Sequence, residues 1–145
     1  MKKHFCLATM VLAVVLSTAG MTAAANHKNM VGTWKGTVSF VGWNSSYPEN
    51  EGFYYDEYVF TYEIMSEDFA TGNFYGLETN YYHFTGNVAT NKRVSIIVYE
   101  DAGEYRILTG TVSGKKMSGT MQHYKPANVD TPAQVDTGAF TFYKQ

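Results

Sequence analysis

The stretch GTWKGTVSF, residues 32–40, alternates apolar and polar side chains over most of its length. Trp34, Val38 and Phe40 share one face of an extended chain, whereas Lys35 and the hydroxyl-bearing residues after it share the other face. A period of two predicts a strand with one buried face and one exposed face. The stretch therefore predicts that the fold begins with a β-strand facing a core.

The same alternation recurs up to the C-terminus, and no stretch has a convincing helical period. Tyrosine, phenylalanine, valine, threonine and isoleucine are frequent in these segments, as is typical of strands. The pattern predicts eight strands, at residues 30–41, 53–65, 69–75, 81–89, 93–99, 104–112, 117–124 and 137–144. Most of them are separated by short turns, and closure of such a meander removes both exposed edges. We therefore expect an all-β fold, an eight-stranded antiparallel up-and-down β-barrel.

Two connections are longer than a tight turn, residues 42–52 and 125–136. Successive connections of an up-and-down barrel alternate between its two rims, so both long connections fall on the same rim, which we call the mouth. The acidic residues expected at the mouth outnumber the basic Lys125 and are Glu49, Glu51, Glu78, Asp101, Glu104, Asp130 and Asp136. This excess of negative charge disfavours an anionic ligand.

A threonine or serine followed by glycine recurs inside or beside the predicted strands, at residues 71–72, 85–86, 109–110, 118–119 and 137–138. Glycine weakens a strand unless the structure needs the bend or the space that glycine provides. Curvature of a closing sheet, or room for a large neighbouring side chain, explains the repeat. Contact with a ligand is the alternative interpretation.

Residues 1–25 have the pattern of a secretory signal peptide, with a basic start, an apolar stretch and three small residues that end at Ala25. Cleavage between Ala25 and Asn26 would leave residues 26–145 as a single barrel domain. We expect the mature protein in the periplasm or outside the cell. Cys6 is the one cysteine and would leave with the signal, so stability has to come from packing alone.

Motifs for catalysis or metal binding are absent from the sequence. His83 and His123 fall on predicted strands that are not neighbours, and no histidine or cysteine spacing matches a metal site. No serine lies in a nucleophile motif, and no two carboxylates stand out as the acid and base of a glycosidase. We therefore expect a protein that is not an enzyme and has no catalytic residue, metal or cofactor. The formal charge of -2 argues against nucleic acid as a partner.

Gly32-Thr33-Trp34 at the start of the first strand, followed by a strand meander, resembles the calycin group of lipocalins, avidins and their bacterial relatives. The last strand, with the sequence TGAF at residues 137–140, is more similar to avidins. The resemblance implies that Trp34 is a structural residue that plugs the closed end of the barrel. Lipocalins cap this tryptophan with an arginine, whereas the last strand here carries only Lys144. Avidins line their biotin pocket with several tryptophans, and this chain has 2, so biotin binding is not expected.

The residues expected to contact a ligand lie at the mouth and on one face of the second strand, and are Trp43, Tyr47, Tyr54, Tyr58, Tyr62, Glu49, Glu51, Asp130 and Asp136. The tyrosines would line a cavity, because an eight-stranded barrel either fills its interior with side chains or holds one small ligand. Trp43 and Tyr47 fit a lid or a stacking platform and fit loop anchors equally well. The sequence thus predicts an exported binding barrel for a small apolar or aromatic ligand that is neutral or cationic.

Two other functions stay open. A protein-interaction or inhibitor module would use the long connections and would have a filled barrel. An outer-membrane barrel would also alternate aromatic residues, but polar side chains cover the face opposite Trp34, and the last four strands are short for a membrane. We therefore expect a protein that does not span the membrane. The identity of the ligand or protein partner, and the oligomeric state, do not follow from the sequence.

Overall fold

The computed structural model describes residues 29–44, 52–79, 81–129 and 132–145, with the side chains of residues 41–44 and 52–56 left out. The strands are β1 (Gly32–Asn44), β2 (Gly52–Asp68), β3 (Asn73–Glu78), β4 (His83–Val88), β5 (Arg93–Tyr99), β6 (Tyr105–Ser113), β7 (Lys116–Lys125) and β8 (Gln134–Lys144). Within these ranges the one helical element is a 3₁₀ turn at Asp101–Gly103. No helix in the described part of the chain is long and apolar enough to cross a membrane. The predicted signal peptide, residues 1–25, lies outside the described residues.

Each strand pairs antiparallel with the strands next to it in sequence, and β1 also pairs with β8. Trp34 lies opposite Tyr62 of β2 and opposite Lys144 of β8, so β1 is bonded along both of its edges. The sheet is therefore a closed barrel, which confirms the predicted all-β, up-and-down order. This architecture is compatible with a calycin-like fold. The order also places the connections β1–β2, β3–β4, β5–β6 and β7–β8 on one rim, the mouth.

The inward-facing side chains form an apolar core that fills the barrel from the rim opposite the mouth through its middle. The alternation along β1 and β8 holds, because Val38, Phe140 and Phe142 are all buried on the same face as Trp34. Tyr62 packs between two of the larger core rings, with its ring centroid 5.2 Å from that of Phe84 and 4.8 Å from that of Phe142. No disulfide is needed for a core of this size.

Trp34 lies at the rim opposite the mouth. The side chain is fully buried, and its indole N–H donates a hydrogen bond to the backbone oxygen of Met30 at 2.8 Å. The ammonium group of Lys144 lies 5.9 Å from the Trp34 ring centroid and donates to the backbone oxygen of Asn29 at 3.1 Å. Lys144 therefore covers the tryptophan through a cation–π contact and ties the last strand to the start of the first.

Glycine lets neighbouring groups approach closely at two places in the wall. Gly110 of β6 lies directly opposite Gly119 of β7, and a Cβ on either glycine would overlap the backbone of the facing strand. A Cβ on Gly86 would overlap the ring of Phe74. These contacts support the interpretation of the recurring glycine as a residue that permits bending and makes room for a large neighbour.

The boundary between the second and third strands differs from the prediction. Residues 66–68, expected to form a turn, continue β2, whereas residues 69–72, expected to begin the third strand, form the turn. The carboxylate of Asp68 explains this, because it accepts hydrogen bonds from the backbone N–H of Ala70 at 2.9 Å and from the hydroxyl of Thr71 at 2.8 Å. Hydrogen bonds that an aspartate side chain accepts from the residues just after it stabilise a turn.

Replacing Trp34 by alanine should destabilise the barrel by about 3–5 kcal/mol, the usual cost of removing a buried tryptophan. Tyr75→Ala is the control, because Tyr75 is an aromatic residue on the outer wall that is 55% exposed. Urea unfolding followed by circular dichroism measures both free energies. Comparable losses in the two variants would contradict the assignment of Trp34 as the plug of the closed end.

Candidate functional site

A cavity of about 460 Å³ lies at the mouth, between the ends of the strands. It differs from the rest of the interior because its lining combines aromatic rings with ionisable side chains. The lining residues are Phe40, Tyr58, Val59, Phe60, Thr79, Tyr82, Glu100, Arg106, His123, Lys125 and Asp136. We call this space the mouth cavity. Its volume falls within the range of pockets that hold one small ligand, which is about 300–1,000 Å³.

One side of the mouth cavity is formed where β2, the longer strand, extends beyond the end of β3. The ladder between these strands ends at Tyr62 and Glu78, and β2 continues beyond that point toward the mouth. Thr79 joins the edge of β2, because its hydroxyl accepts from the backbone N–H of Thr61 at 2.6 Å and lies 3.1 Å from the Thr61 carbonyl oxygen. Thr79 and Val59 line the cavity at this step in the wall.

Aromatic side chains of β1 and β2 form one wall of the mouth cavity. The ring of Tyr58 lies 5.7 Å from that of Phe40 in an edge-to-face arrangement, and 6.2 Å from that of Phe60. Tyr58 is 49% exposed although it follows the inward alternation of β2, which places it at the open end of the barrel. This wall offers the ring faces that an apolar or aromatic ligand would contact.

The buried guanidinium of Arg106 forms the floor of the mouth cavity. Arg106 points inward from β6 and is 3% exposed. Its Nη2 donates to Oε2 of Glu78, and its Nε donates to Oε1 of Glu100. Its Cζ lies 4.7 Å from the ring centroid of Phe60, so the cation is also stacked on an aromatic face. Two carboxylates thus compensate one buried cation, as a charge in this environment requires.

The electrostatics of this floor keep its ions charged and its phenol neutral. Burial raises the pKa of the Glu100 carboxyl, but hydrogen bonds from His123 and Arg106, with the charge of Arg106, outweigh burial and leave the pKa below its ordinary value. Burial lowers the pKa of Arg106, but the neighbouring tyrosine and carboxylates outweigh it, so the guanidinium stays protonated. Burial also raises the pKa of Tyr62 well above its ordinary range. Among the described residues, the Tyr62 hydroxyl and Nη1 of Arg106 have no hydrogen-bond partner.

His123 joins the same network from β7. The register places it directly opposite Arg106, and the 3₁₀ turn between β5 and β6 places Glu100 and Glu104 beside it. Nε2 of His123 lies 3.1 Å from Oε2 of Glu104 and 3.5 Å from Oε2 of Glu100. Within the described ranges, these three side chains are the group that could hold a metal ion, because their donor atoms all lie within 4.8 Å of one another.

Lys125 and Asp136 complete the lining on the side of β7 and β8. The ammonium nitrogen of Lys125 lies 2.9 Å from Oδ2 of Asp136, and the Asp136 residue is only 2% exposed. Asp136 and Lys125 therefore form a neutral ion pair in the lining, and Asp136 does not add an unpaired negative charge to the cavity.

The structure brings together some of the residues that the sequence predicts for ligand contact. Tyr58 and Asp136 line the mouth cavity, whereas Tyr62 is fully buried among core rings beneath it. The backbones of Trp43 and Tyr54 lie at the mouth end of β1 and β2. The remaining predicted contacts, Tyr47, Glu49, Glu51 and Asp130, lie outside the described residues.

Several residues of the lining could not be identified as members of a site from the sequence. Arg106, Glu100 and His123 carry no motif, and they converge only because β5, β6 and β7 are neighbours in the closed sheet. One signal was available for Arg106, since it occupies an inward position in the alternating strand YRILTGTVS, residues 105–113. A cation at an inward position of a barrel strand indicates a buried partner or a site.

Two outer-wall grooves are comparable in size to the mouth cavity, at about 550 and 610 Å³. One crosses β3, β4 and β5 near Tyr75 and Ile97, and the other crosses β6, β7 and β8 near Ile107. Their linings contain no buried ion pair. Volume alone does not distinguish the mouth cavity from the two grooves. Among these three, the mouth cavity is the one whose lining combines an aromatic wall with a buried guanidinium, which favours it as the binding site.

Replacing Arg106 by methionine should destabilise the protein by about 3–5 kcal/mol at pH 7, because the buried carboxylate of Glu78 would lose its cation. Arg93→Met, at an exposed arginine of β5, is the matched control and should change stability little. A carboxyl with a lowered pKa, such as Glu100, stabilises the fold above its ordinary pKa and loses that contribution as the pH falls.

The difference between wild type and Arg106→Met should therefore be smaller at about pH 3, below the ordinary glutamate pKa of about 4.3, than at pH 7. Urea unfolding at both pH values measures it. A gap that does not change with pH, or equal effects of the two arginine variants, would show that Arg106 does not compensate buried carboxylates.

No protein family matches the chain, and no curated protein is similar to it at a significant level. These comparisons therefore assign no family to the chain, and its function has to be inferred from the mouth cavity itself.

Proposed function

We propose that the mature chain is an exported binding barrel that holds one small, mostly apolar or aromatic ligand in the mouth cavity. The observation that carries the proposal is the composition of the lining, in which Phe40, Tyr58 and Phe60 face a buried ionic floor. A packed barrel without a ligand would gain more stability from an apolar interior, because burying an ion pair has a large desolvation cost. Retention of the ions at an open end supports a role in binding.

The charges around the mouth cavity favour a neutral or cationic ligand. Arg106 is shared by Glu78 and Glu100, and Lys125 is paired with Asp136, so both cations of the lining already have anionic partners. Glu104 adds a further carboxylate at the edge. An anionic ligand would meet net negative charge here and would have to compete for paired cations.

The polar floor also favours a ligand that carries an oxygen atom at one end. Nη1 of Arg106 has no hydrogen-bond partner among the described residues and is buried from solvent, so a carbonyl or hydroxyl oxygen could accept from it once neighbouring side chains of the floor move to admit that oxygen. A ligand with an apolar or aromatic body and such a head group would contact the ring wall and the floor together.

Two fluorescent dyes of similar size test the proposal, neutral N-phenyl-1-naphthylamine and anionic 1-anilinonaphthalene-8-sulfonate. The neutral dye should bind residues 26–145 with a saturable increase in fluorescence, and the anionic dye should bind more weakly. Tyr58→Ala should weaken binding of the neutral dye roughly two- to tenfold, since one aromatic contact contributes about 0.5–1.5 kcal/mol.

Tyr143→Ala is the matched control, because Tyr143 is a strand tyrosine on the outer wall with nearly the same exposure, 50% against 49% for Tyr58. It should leave dye affinity unchanged. Equal losses in the two variants would place dye binding outside the mouth cavity. Failure of both dyes to bind would contradict the binding proposal and favour the protein-interaction hypothesis instead.

A further inference from the structure

We propose that Glu100, Glu104 and His123 form a site for one divalent zinc ion at the edge of the mouth cavity. The imidazole nitrogen comes from the mouth end of β7, and the two carboxylate oxygens come from the residues that flank the 3₁₀ turn between β5 and β6. Imidazole and carboxylate are both common zinc ligands in proteins. The inference is independent of the proposed small ligand, because zinc alone occupies the site.

The distances between the donor atoms are close to those that zinc requires. Two ligands at about 2.0–2.2 Å from a tetrahedral zinc ion lie roughly 3.3–3.6 Å apart. Nε2 of His123 is 3.5 Å from Oε2 of Glu100 and 3.1 Å from Oε2 of Glu104. The donor atoms of all three residues lie within 4.8 Å of one another. The remaining distance, between the oxygens of Glu100 and Glu104, can therefore be adjusted by a movement of the Glu104 side chain, which is 35% exposed.

The network behind the cluster already orients one ligand. Oε1 of Glu100 accepts a hydrogen bond from Nε of Arg106, which leaves Oε2 directed toward His123. A carboxylate whose second oxygen is held by a neighbouring group binds a metal with less loss of conformational freedom. Arg106 would therefore act as a positioning residue for the zinc ligand Glu100.

The charge balance also fits a dication. Glu78, Glu100 and Glu104 bring three negative charges around the single positive charge of Arg106, and the neighbouring pair of Lys125 and Asp136 is neutral. With neutral His123 the group carries a formal charge of about −2, which one zinc ion would compensate. Three protein ligands leave a fourth position, and since Glu100 and His123 line the mouth cavity, that position is reached from it.

Isothermal titration of residues 26–145 with zinc chloride at pH 7 tests the site. One ion should bind per chain, and zinc should raise the melting temperature. Glu104→Gln and His123→Asn should each weaken zinc affinity at least tenfold and reduce the rise in melting temperature. Glu104 lies at the rim with its side chain 35% exposed, so Glu104→Gln keeps the test valid if His123→Asn does not fold.

Two matched variants serve as controls. His83→Asn and Glu63→Gln replace an exposed histidine and an exposed glutamate away from the cluster, and both should keep wild-type zinc affinity. Zinc that binds Glu104→Gln and His123→Asn as tightly as wild type would overturn the proposal and place the ion elsewhere, for example at His27 near the mature N-terminus. Absence of zinc binding to the wild-type protein would show that His123 is only hydrogen-bonded to the two carboxylates.

Discussion

The pairing of β1 with both β2 and β8 is the constraint on which the rest of this structure depends. Once the sheet is closed, every second side chain of each strand must point into a shared interior, and the connections alternate between two rims. The rim that holds Trp34 is filled by apolar side chains and covered by Lys144. The other rim receives the longer connections and therefore becomes the open end.

The apolar interior stops where Arg106 points inward. A guanidinium at this depth needs carboxylates around it, and they are supplied by Glu78 at the end of β3 and by Glu100 just after β5. These ions make the floor of the mouth cavity polar, and the ring of Phe60 joins the floor to the aromatic wall. The same network positions His123 and Glu104 at the edge. One buried charge thus marks the depth of the cavity, and it is central both to the charge preference that we propose and to the cluster that we infer to bind zinc.

The fold could be predicted from the sequence because the alternation of side chains is local and nearly continuous. β5 was predicted with its observed bounds, Arg93–Tyr99, since a run of β-branched residues is flanked by turns on both sides. The start of β3 was misplaced because the turn depends on hydrogen bonds that the Asp68 carboxylate accepts, whereas the hydrophobicity of Phe69 suggested a strand. The site could be predicted from the sequence only in part. Tyr58 and Asp136 follow from topology, but convergence of Glu100, Arg106 and His123 depends on register across three strands, which no spacing in the sequence encodes.

Amide hydrogen exchange along β1 tests the closure of the barrel most directly. Successive backbone N–H groups of an antiparallel strand point alternately to its two neighbours. If β1 is bonded to both β2 and β8, all amides of residues 35–40 should exchange slowly, at rates set by global unfolding. An open sheet would leave β1 with one bonded edge. Fast exchange at every second residue of this stretch would therefore contradict the closed barrel and the mouth cavity that depends on it.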